Sequence, residues 1–527
     1  MQDTPPGRED THETEHAGQG NPEKKPVSVE FDAERILVRF SGEITTKAPA
    51  TRRRFLTRMV RNLKDALKSQ SIRHQVLRTH SRIFIDVETG HVGQAIDCLS
   101  RVFGVQSLSR ILEREWDTLE DLVAMGGEIF TEVVRDRSFA VRARKVGDRR
   151  RVSIQSDELQ RELGTVLLSS ARKVSLKTPE VTAAIEVAPE RAHFFSDRTA
   201  AEGGLPLACE GRGVALVSGG FDSPVAAWLL NKRGVELDYV FCNLGGRNHQ
   251  LETMQVMKVV ADLWSYGTRP HLHAIDFEDV SRDLQSGVTT RYWQIVLKRL
   301  MMRTAEAVAA ERGASAIVTG EAVGQVSSQT LPNLSVISAA TPLPIFRPLI
   351  GFNKEEIIKL SRKIGTHDLS ATVGEYCALV PNRPATRATL ARIEDEEKSL
   401  NPEILERAIA ERSVFDLRSL DLASLDRPDI QTDSIGAHEV VLDLRSKAAY
   451  ENWHYPGALF LDFQNAVKTY PHMDKNASYV LYCEFGLKSG HLAEQMRREG
   501  LRASHFAGGT QALIRYADQN GLATPGR

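Results

Sequence analysis

Val214-Ala215-Leu216-Val217-Ser218-Gly219-Gly220-Phe221-Asp222-Ser223-Pro224 is the stretch from which the rest of the chain is read. Its first four residues are a short apolar run with strand character. Val225 to Lys232 then reads as a helix, with Pro224 in its first turn, where a missing N–H costs nothing. Between the two, Gly219 and Gly220 allow a tight turn that aims backbone N–H groups at one point, and the helix dipole adds positive potential there. Ser218 and Ser223 add hydroxyl donors. The sequence predicts a cradle for a phosphate; the plain alternative is a Gly-rich turn with no ligand. It is not a Walker A loop, because no Gly-Lys-Ser/Thr follows.

Outward from this loop the alternation continues. Leu237–Phe241 reads as a strand, His249 to Tyr266 as a helix, and Leu272–Phe277 as a strand. Gln294–Arg312 follows as a helix and Ala316–Thr319 as a strand. Strands alternating with helices of this length predict a doubly wound parallel sheet. Gly320-Glu321-Ala322-Val323-Gly324-Gln325-Val326-Ser327-Ser328-Gln329-Thr330 directly follows a strand, so Gly320, Gln325 and Gln329 are expected at the carboxyl edge of the sheet, where open α/β folds bind ligands. Arg347 and Lys354, in Arg347-Pro348-Leu349-Ile350-Gly351-Phe352-Asn353-Lys354, are cations available to phosphate, although Lys354 at a helix start is equally consistent with a residue facing water.

With 527 residues, the chain has room for about three or four domains. Lys plus Arg number 68 and Asp plus Glu 69, so the net charge of -1 names no partner. Five cysteines are too few for a disulfide framework, and they predict reduced thiols in a cytoplasmic protein. No run approaches the ~20 apolar residues of a membrane span. Residues 1–26 are polar and rich in Gly and Pro, and predict a disordered tail without a secretory signal.

Before the loop, short strands and helices (Ile36–Phe40, a helix from Thr51, Arg82–Val87, Gln94–Phe103) predict a small α+β region. Arg135 to Arg151 carries the densest positive charge in the chain. Arg142, Arg144, Lys145, Arg149, Arg150 and Arg151 are either a phosphate-backbone contact or a solvated basic face. Residues 401–434, with the charged stretch Glu403–Glu411 followed by Ser, Asp and Pro, read as a linker. A third β/α block opens at Val440.

In that block Cys483-Glu484-Phe485-Gly486-Leu487-Lys488-Ser489 lies between a strand and the helix Gly490–Arg498. Backbone N–H groups, a helix N-terminus and Lys488 would stabilise a thiolate or a persulfide. Cys377, in the Pro-rich loop Cys377–Thr386, is either a second reactive thiol or an inert loop cysteine. Cys98, Cys209 and Cys242 read as structural.

Ser218–Ser223 resembles the SGGxDS loop of ATP pyrophosphatases, which implies that Asp222 helps hold a magnesium–pyrophosphate group. Cys483–Ser489 resembles the active loop of rhodanese domains, with Asp443-Leu444-Arg445 and His454–Ala458 as further matches. Taken in this order with the basic module, the chain resembles the bacterial tRNA 4-thiouridine synthetases from about residue 30 to its end. That resemblance implies an α/β multidomain chain with a ferredoxin-like domain at 27–83, a THUMP RNA-binding domain at 84–187, a PP-loop ATP pyrophosphatase domain at 188–400, a linker at 401–434 and a rhodanese domain at 435–527. It implies ATP with Mg2+ as cofactor, no resident metal, and tRNA as partner, contacted through the basic cluster. It also implies a cysteine desulfurase as sulfur donor and a reductant. The implied reaction adenylates the C4 oxygen of a tRNA uridine, expected at position eight. Sulfur then comes from a persulfide on Cys483, with Cys377 resolving it through a Cys377–Cys483 disulfide. Phe221 completes the expected ATP-binding set. The resemblance also leaves room for sulfur supply to the thiazole of thiamine through a carrier protein, and a sulfur carrier without tRNA thiolation is the competing reading.

Overall fold

The computed structural model describes residues 31–79, 82–373, 383–421, 430–483 and 486–522. The predicted tail lies outside these residues, and so does Cys377.

The central domain is the doubly wound sheet that the loop predicts. Its strands lie in the order Ile345–Phe346, Ile317–Val318, Arg212–Leu216, Glu236–Asn243, His271–Asp276 and Ser413–Asp416. The first five run parallel, and the last is antiparallel to His271–Asp276. Two apolar layers cover its faces. One is built on Trp228, Met254, Met257 and Trp264; the other on Ile295, Leu300, Val308 and Ile337. Apolar strands buried from both sides are what a parallel sheet requires.

This sheet corrects the linker at 401–434. The charged stretch forms the helix Pro402–Ala410, and Ile404, Leu405 and Ala408 pack onto the second apolar layer. Ser413–Asp416 then adds an edge strand. The composition of this helix is that of a spacer, yet its apolar stripe docks.

The amino-terminal half is one continuous sheet in the order His74–Arg78, Ile83–Glu88, Ala33–Phe40, Val105–Glu115, Arg191–Phe195, Val181–Val187, Ser138–Lys145 and Lys173–Val174. Two predicted boundaries move as a result. Ile83–Glu88 pairs between His74–Arg78 and Ala33–Phe40, and Ile83, Ile85 and Val87 join the core of the first unit, so no boundary falls at 83/84. Arg191–Phe195 pairs with Val181–Val187, which removes the boundary at 187/188. Val105–Glu115 belongs to both units: it pairs with Ala33–Phe40 at one end and Arg191–Phe195 at the other.

The first unit is fastened to the central domain. Arg58 Nε and Asn62 Nδ2 both donate to the Leu207 carbonyl, at 3.0 and 3.2 Å, and the Gly267 N–H donates to Asp65 at 2.8 Å. Tyr266 of the central domain lies inside the first unit's core.

The carboxyl-terminal domain has an all-parallel sheet, Gln431–Thr432, Arg502–Phe506, Ser478–Tyr482, Val440–Asp443 and Leu459–Phe460. Gln431–Thr432 brings part of the predicted linker into this sheet. Among the described residues no helix is long and apolar enough to cross a membrane.

Candidate active site

The phosphate loop sits where Arg212–Leu216 ends and the helix Asp222–Lys232 begins. The helix starts three residues earlier than predicted, so Asp222 is its first residue. Gly219 has φ +75, and a Cβ there would lie 2.8 Å from Thr253 Oγ1; only glycine fits this turn. The Ser218 N–H donates to Ser223 Oγ at 3.1 Å, closing the loop across its base. Ser223 is buried, so its hydroxyl braces the loop, whereas Ser218 is exposed. Ser370 Oγ donates to the Gly220 carbonyl at 3.4 Å, and the Phe221 ring lies 5.5 Å from that of His367.

Asp222 is held from two sides. Gln325 Nε2 donates to Oδ2 at 2.9 Å and Lys354 Nζ to Oδ1 at 2.8 Å. Lys354 opens the helix Lys354–Ile364, whose start is set by a capping box between Asn353 and Glu356. A cation at a helix N-terminus opposes the dipole, and here a carboxylate 132 residues away offsets that opposition. Lys354 therefore does not merely face water. Gly320 lies against the loop's back: a Cβ would come within 2.9 Å of Asp222 C and Ser223 N.

Arg347 is placed one layer behind. Its Nε donates to Glu321 Oε2 at 2.9 Å, while Lys298 Nζ reaches Glu321 Oε1 at 2.7 Å. Burial opposes the charge on Glu321, but Lys298 and Arg347 outweigh it and hold the carboxyl below its ordinary value. Gln329 Oε1 is buried without a hydrogen-bond partner among the described residues. Lys298 and His249 were absent from the sequence-based set. His249 Nε2 bonds the Ser218 carbonyl at 3.3 Å, and burial pushes this histidine down to about 4, so it is neutral. Neither residue carries a motif; only the folded sheet edge collects them.

The cysteine loop follows the strand Ser478–Tyr482. Cys483 is 2% exposed, and its Sγ lies 3.5 Å from Ser489 Oγ. Ser489 Oγ donates to the Gly486 carbonyl at 3.0 Å, and Gly486, at φ +91, caps the helix Leu487–Arg498. Thr510 donates to the Cys483 carbonyl through its N–H at 3.1 Å and its hydroxyl at 3.2 Å. Lys488 is exposed on the first turn. The thiol thus lies beside one hydroxyl of a helix N-terminus, and Thr510 holds the backbone that carries it. Burial pushes the thiols of Cys98 up to about 11 and Cys209 up to about 12, and raises that of Cys242, consistent with inert roles.

The basic cluster is not uniform. Arg144 is drawn to buried Glu186 at 2.6 Å, and Lys145 Nζ donates to the Val152 carbonyl at 3.0 Å. Arg142 donates to the Leu176 carbonyl, and Arg151 reaches Glu190 at 3.4 Å. Arg149 and Arg150 stand exposed on the short 3₁₀ turn Arg149–Arg151.

The chain joins a parallel α/β domain with a Gly-rich strand-to-helix loop to a second α/β domain whose cysteine follows a strand and precedes a helix, the two-part architecture of a sulfur-transferring enzyme class. Three family models match: the thiamine biosynthesis protein ThiI over residues 208–401, the ThiI ferredoxin-like domain over 35–109, and the rhodanese-like domain over 427–515. A tRNA sulfurtransferase of Pyrobaculum aerophilum is 35% identical over 89% of this chain and 95% of its own length. That of Shewanella amazonensis is 31% identical over 88% and 98%. The crystal structure of a 4-thiouridine synthetase–RNA complex with bound ATP superposes with a TM-score of 0.65 at 29% identity, covering 73% of this chain and 99% of that one. The chain belongs to the tRNA sulfurtransferase family.

Proposed function

We propose that this protein is an ATP-dependent tRNA uracil 4-sulfurtransferase that forms AMP and pyrophosphate, with the expected target at position eight. The observation that carries the reading is the pairing, within one chain, of the Asp222 loop with the hydroxyl-braced Cys483 loop. Either could serve another enzyme; together they match a reaction that must both activate an oxygen and deliver sulfur.

The C4 oxygen of uridine is a poor leaving group. Its attack on the α-phosphorus of ATP expels pyrophosphate and leaves a C4–O–AMP ester. The loop N–H groups, Lys354 and the half-buried cations Lys298 and Arg347 on either side of buried Glu321 would receive the phosphate charge as it shifts. Magnesium would arrive with the triphosphate, facing Asp222. Among the described residues no group of three or more His, Cys, Asp and Glu is placed to hold a metal ion.

A cysteine desulfurase would load Cys483 as a persulfide. The terminal sulfur attacks C4 and AMP leaves, giving a C4–S–S–Cys483 link. Cys377 then attacks the Cys483 sulfur, forming a Cys377–Cys483 disulfide and freeing the thiocarbonyl; a two-electron reductant resets both thiols. Exposed Arg149 and Arg150, with Arg142, Arg144, Lys145 and Arg151 around them, would grip the RNA backbone.

Mass spectrometry of tRNA nucleosides from cells carrying the wild-type gene, Cys483→Ser or Asp222→Ala tests this. The 4-thiouridine signal is expected with the first and lost with both variants; normal signal in either variant rejects that residue's role. A second reading follows from the thiamine description of the matching family model: sulfur delivery to a thiazole-forming carrier, which would require Cys483 and not Asp222.

A further inference from the structure

The cysteine loop does not hang free of the ATP domain. Asn248 and His249 are neighbours on the first turn of the helix Gly246–Trp264, and they face opposite ways. His249 bonds the Ser218 carbonyl of the phosphate loop, whereas Asn248 Nδ2 lies 3.3 Å from His505 Nε2 of the rhodanese domain. Asn248 and His505 are 8% and 3% exposed, so this bond is shielded from water. Burial pushes His505 down to about 4, leaving a neutral ring whose Nε2 can accept from the amide.

The neighbouring contacts are close. A Cβ on Gly490 would lie 2.5 Å from Asn248 Nδ2, so the first turn of the helix Leu487–Arg498, which follows the cysteine loop, seats directly on this amide. The Arg247 N–H donates to Glu494 Oε2 at 3.0 Å, and Arg498 reaches Glu278 at 3.0 Å. Beside the Arg498–Glu278 pair, away from Asn248 and His505, lies a cavity of about 580 Å³ lined by charged residues of both domains, among them Asp276, Arg282, Arg407 and Glu499. Among the described residues no buried apolar cluster spans the seam, and polar seams of this kind open and close readily.

We propose that Asn248 and His505 form a latch that seats the cysteine loop on the ATP domain, and that this seated state hides Cys483 from an outside sulfur donor. The inference rests on the sulfurtransferase reading for its purpose and on the contacts above for its existence. Seated, the thiol is registered to the phosphate loop through two adjacent residues. Unseated, it becomes open to the desulfurase. Asn248 and His505 are positioning residues and touch no reacting atom.

The test uses the full chain with iodoacetamide as probe of Cys483, read by peptide mass spectrometry. Asn248→Ala and Gly490→Ala should each raise the alkylation rate about fivefold, the shift that removal of one hydrogen bond gives. Gly490→Ala improves helix propensity, so loss of fold is not its expected effect. Its ATP affinity should stay at the wild-type value while single-turnover sulfur delivery slows by a similar factor. Glu278→Arg and Arg498→Glu should each loosen the seat, and the double reversal should restore the wild-type rate. Equal alkylation in all variants, or a double reversal no slower than the singles, overturns the latch. Absence of any tRNA thiolation by the wild type would overturn the sulfurtransferase reading and leave the alkylation result standing.

Discussion

Lys354 Nζ and Asp222 Oδ1, 2.8 Å apart, join the first residues of two helices that the chain separates by 132 positions. The pair is partly exposed, so it adds little to stability. Its value lies in what it would meet: a triphosphate entering the loop exchanges one anion for another beside a cation already in place.

Lys354→Ala is therefore expected to leave the melting temperature nearly unchanged and to lower kcat for thiolation by about 100-fold, the usual loss for one preorganised charge. Steady-state thiolation and a thermal melt on the same preparation check both halves.

Gly320→Ala should act differently. Its Cβ would press on backbone atoms of Asp222 and Ser223, neither of which can swing aside. The loop must shift, at about 1–3 kcal/mol, and ATP affinity should fall with stability. Calorimetric titration with ATP and a melt report the two.

Acid should destabilise the fold by a traceable route. His249, His273 and His505 are each pushed down to about 4 by burial, from 6.5. Between those values the unfolded chain binds protons that the folded chain refuses, so stability is lost as pH falls from about 6.5 toward 4. Melting temperatures across that range should decline, and His273→Gln should flatten part of the slope.

Arg149→Ala with Arg150→Ala should weaken tRNA binding and lower the slope of log affinity against log salt by about one for each phosphate left without its arginine. The Arg144→Ala change should weaken binding and in addition cost stability, seen in a thermal melt, because Glu186 loses a partner within a site it shares with Arg39 and Arg82. Filter binding at several salt concentrations, set beside that melt, separates the two.

The phosphate loop is legible in the sequence because strand, turn and helix are contiguous there, and the cysteine loop for the same reason. Long-range choices are not. The boundary at 83/84 fails because Ile83–Glu88 slots beside the first strand of the chain, which no local pattern announces. The linker fails because charge outweighs the stripe of Ile404, Leu405 and Ala408. The helices Leu119–Val134 and Ser156–Leu168 are absent from the sequence reading, since the basic density of the segment between them masks their apolar faces. Asn248 and His505 stand 257 residues apart and belong to no motif, so only folding could introduce them.

The single strand Val105–Glu115, hydrogen-bonded into both amino-terminal units, turns the first half of the molecule into a caliper. One jaw carries the arginines and the other is bolted through Asp65 and Leu207 to the nucleotide domain. Under the proposed function, a gauge of fixed span would select its target by how far that base lies from the gripped backbone. A single uridine would then be picked out by length rather than by its letters.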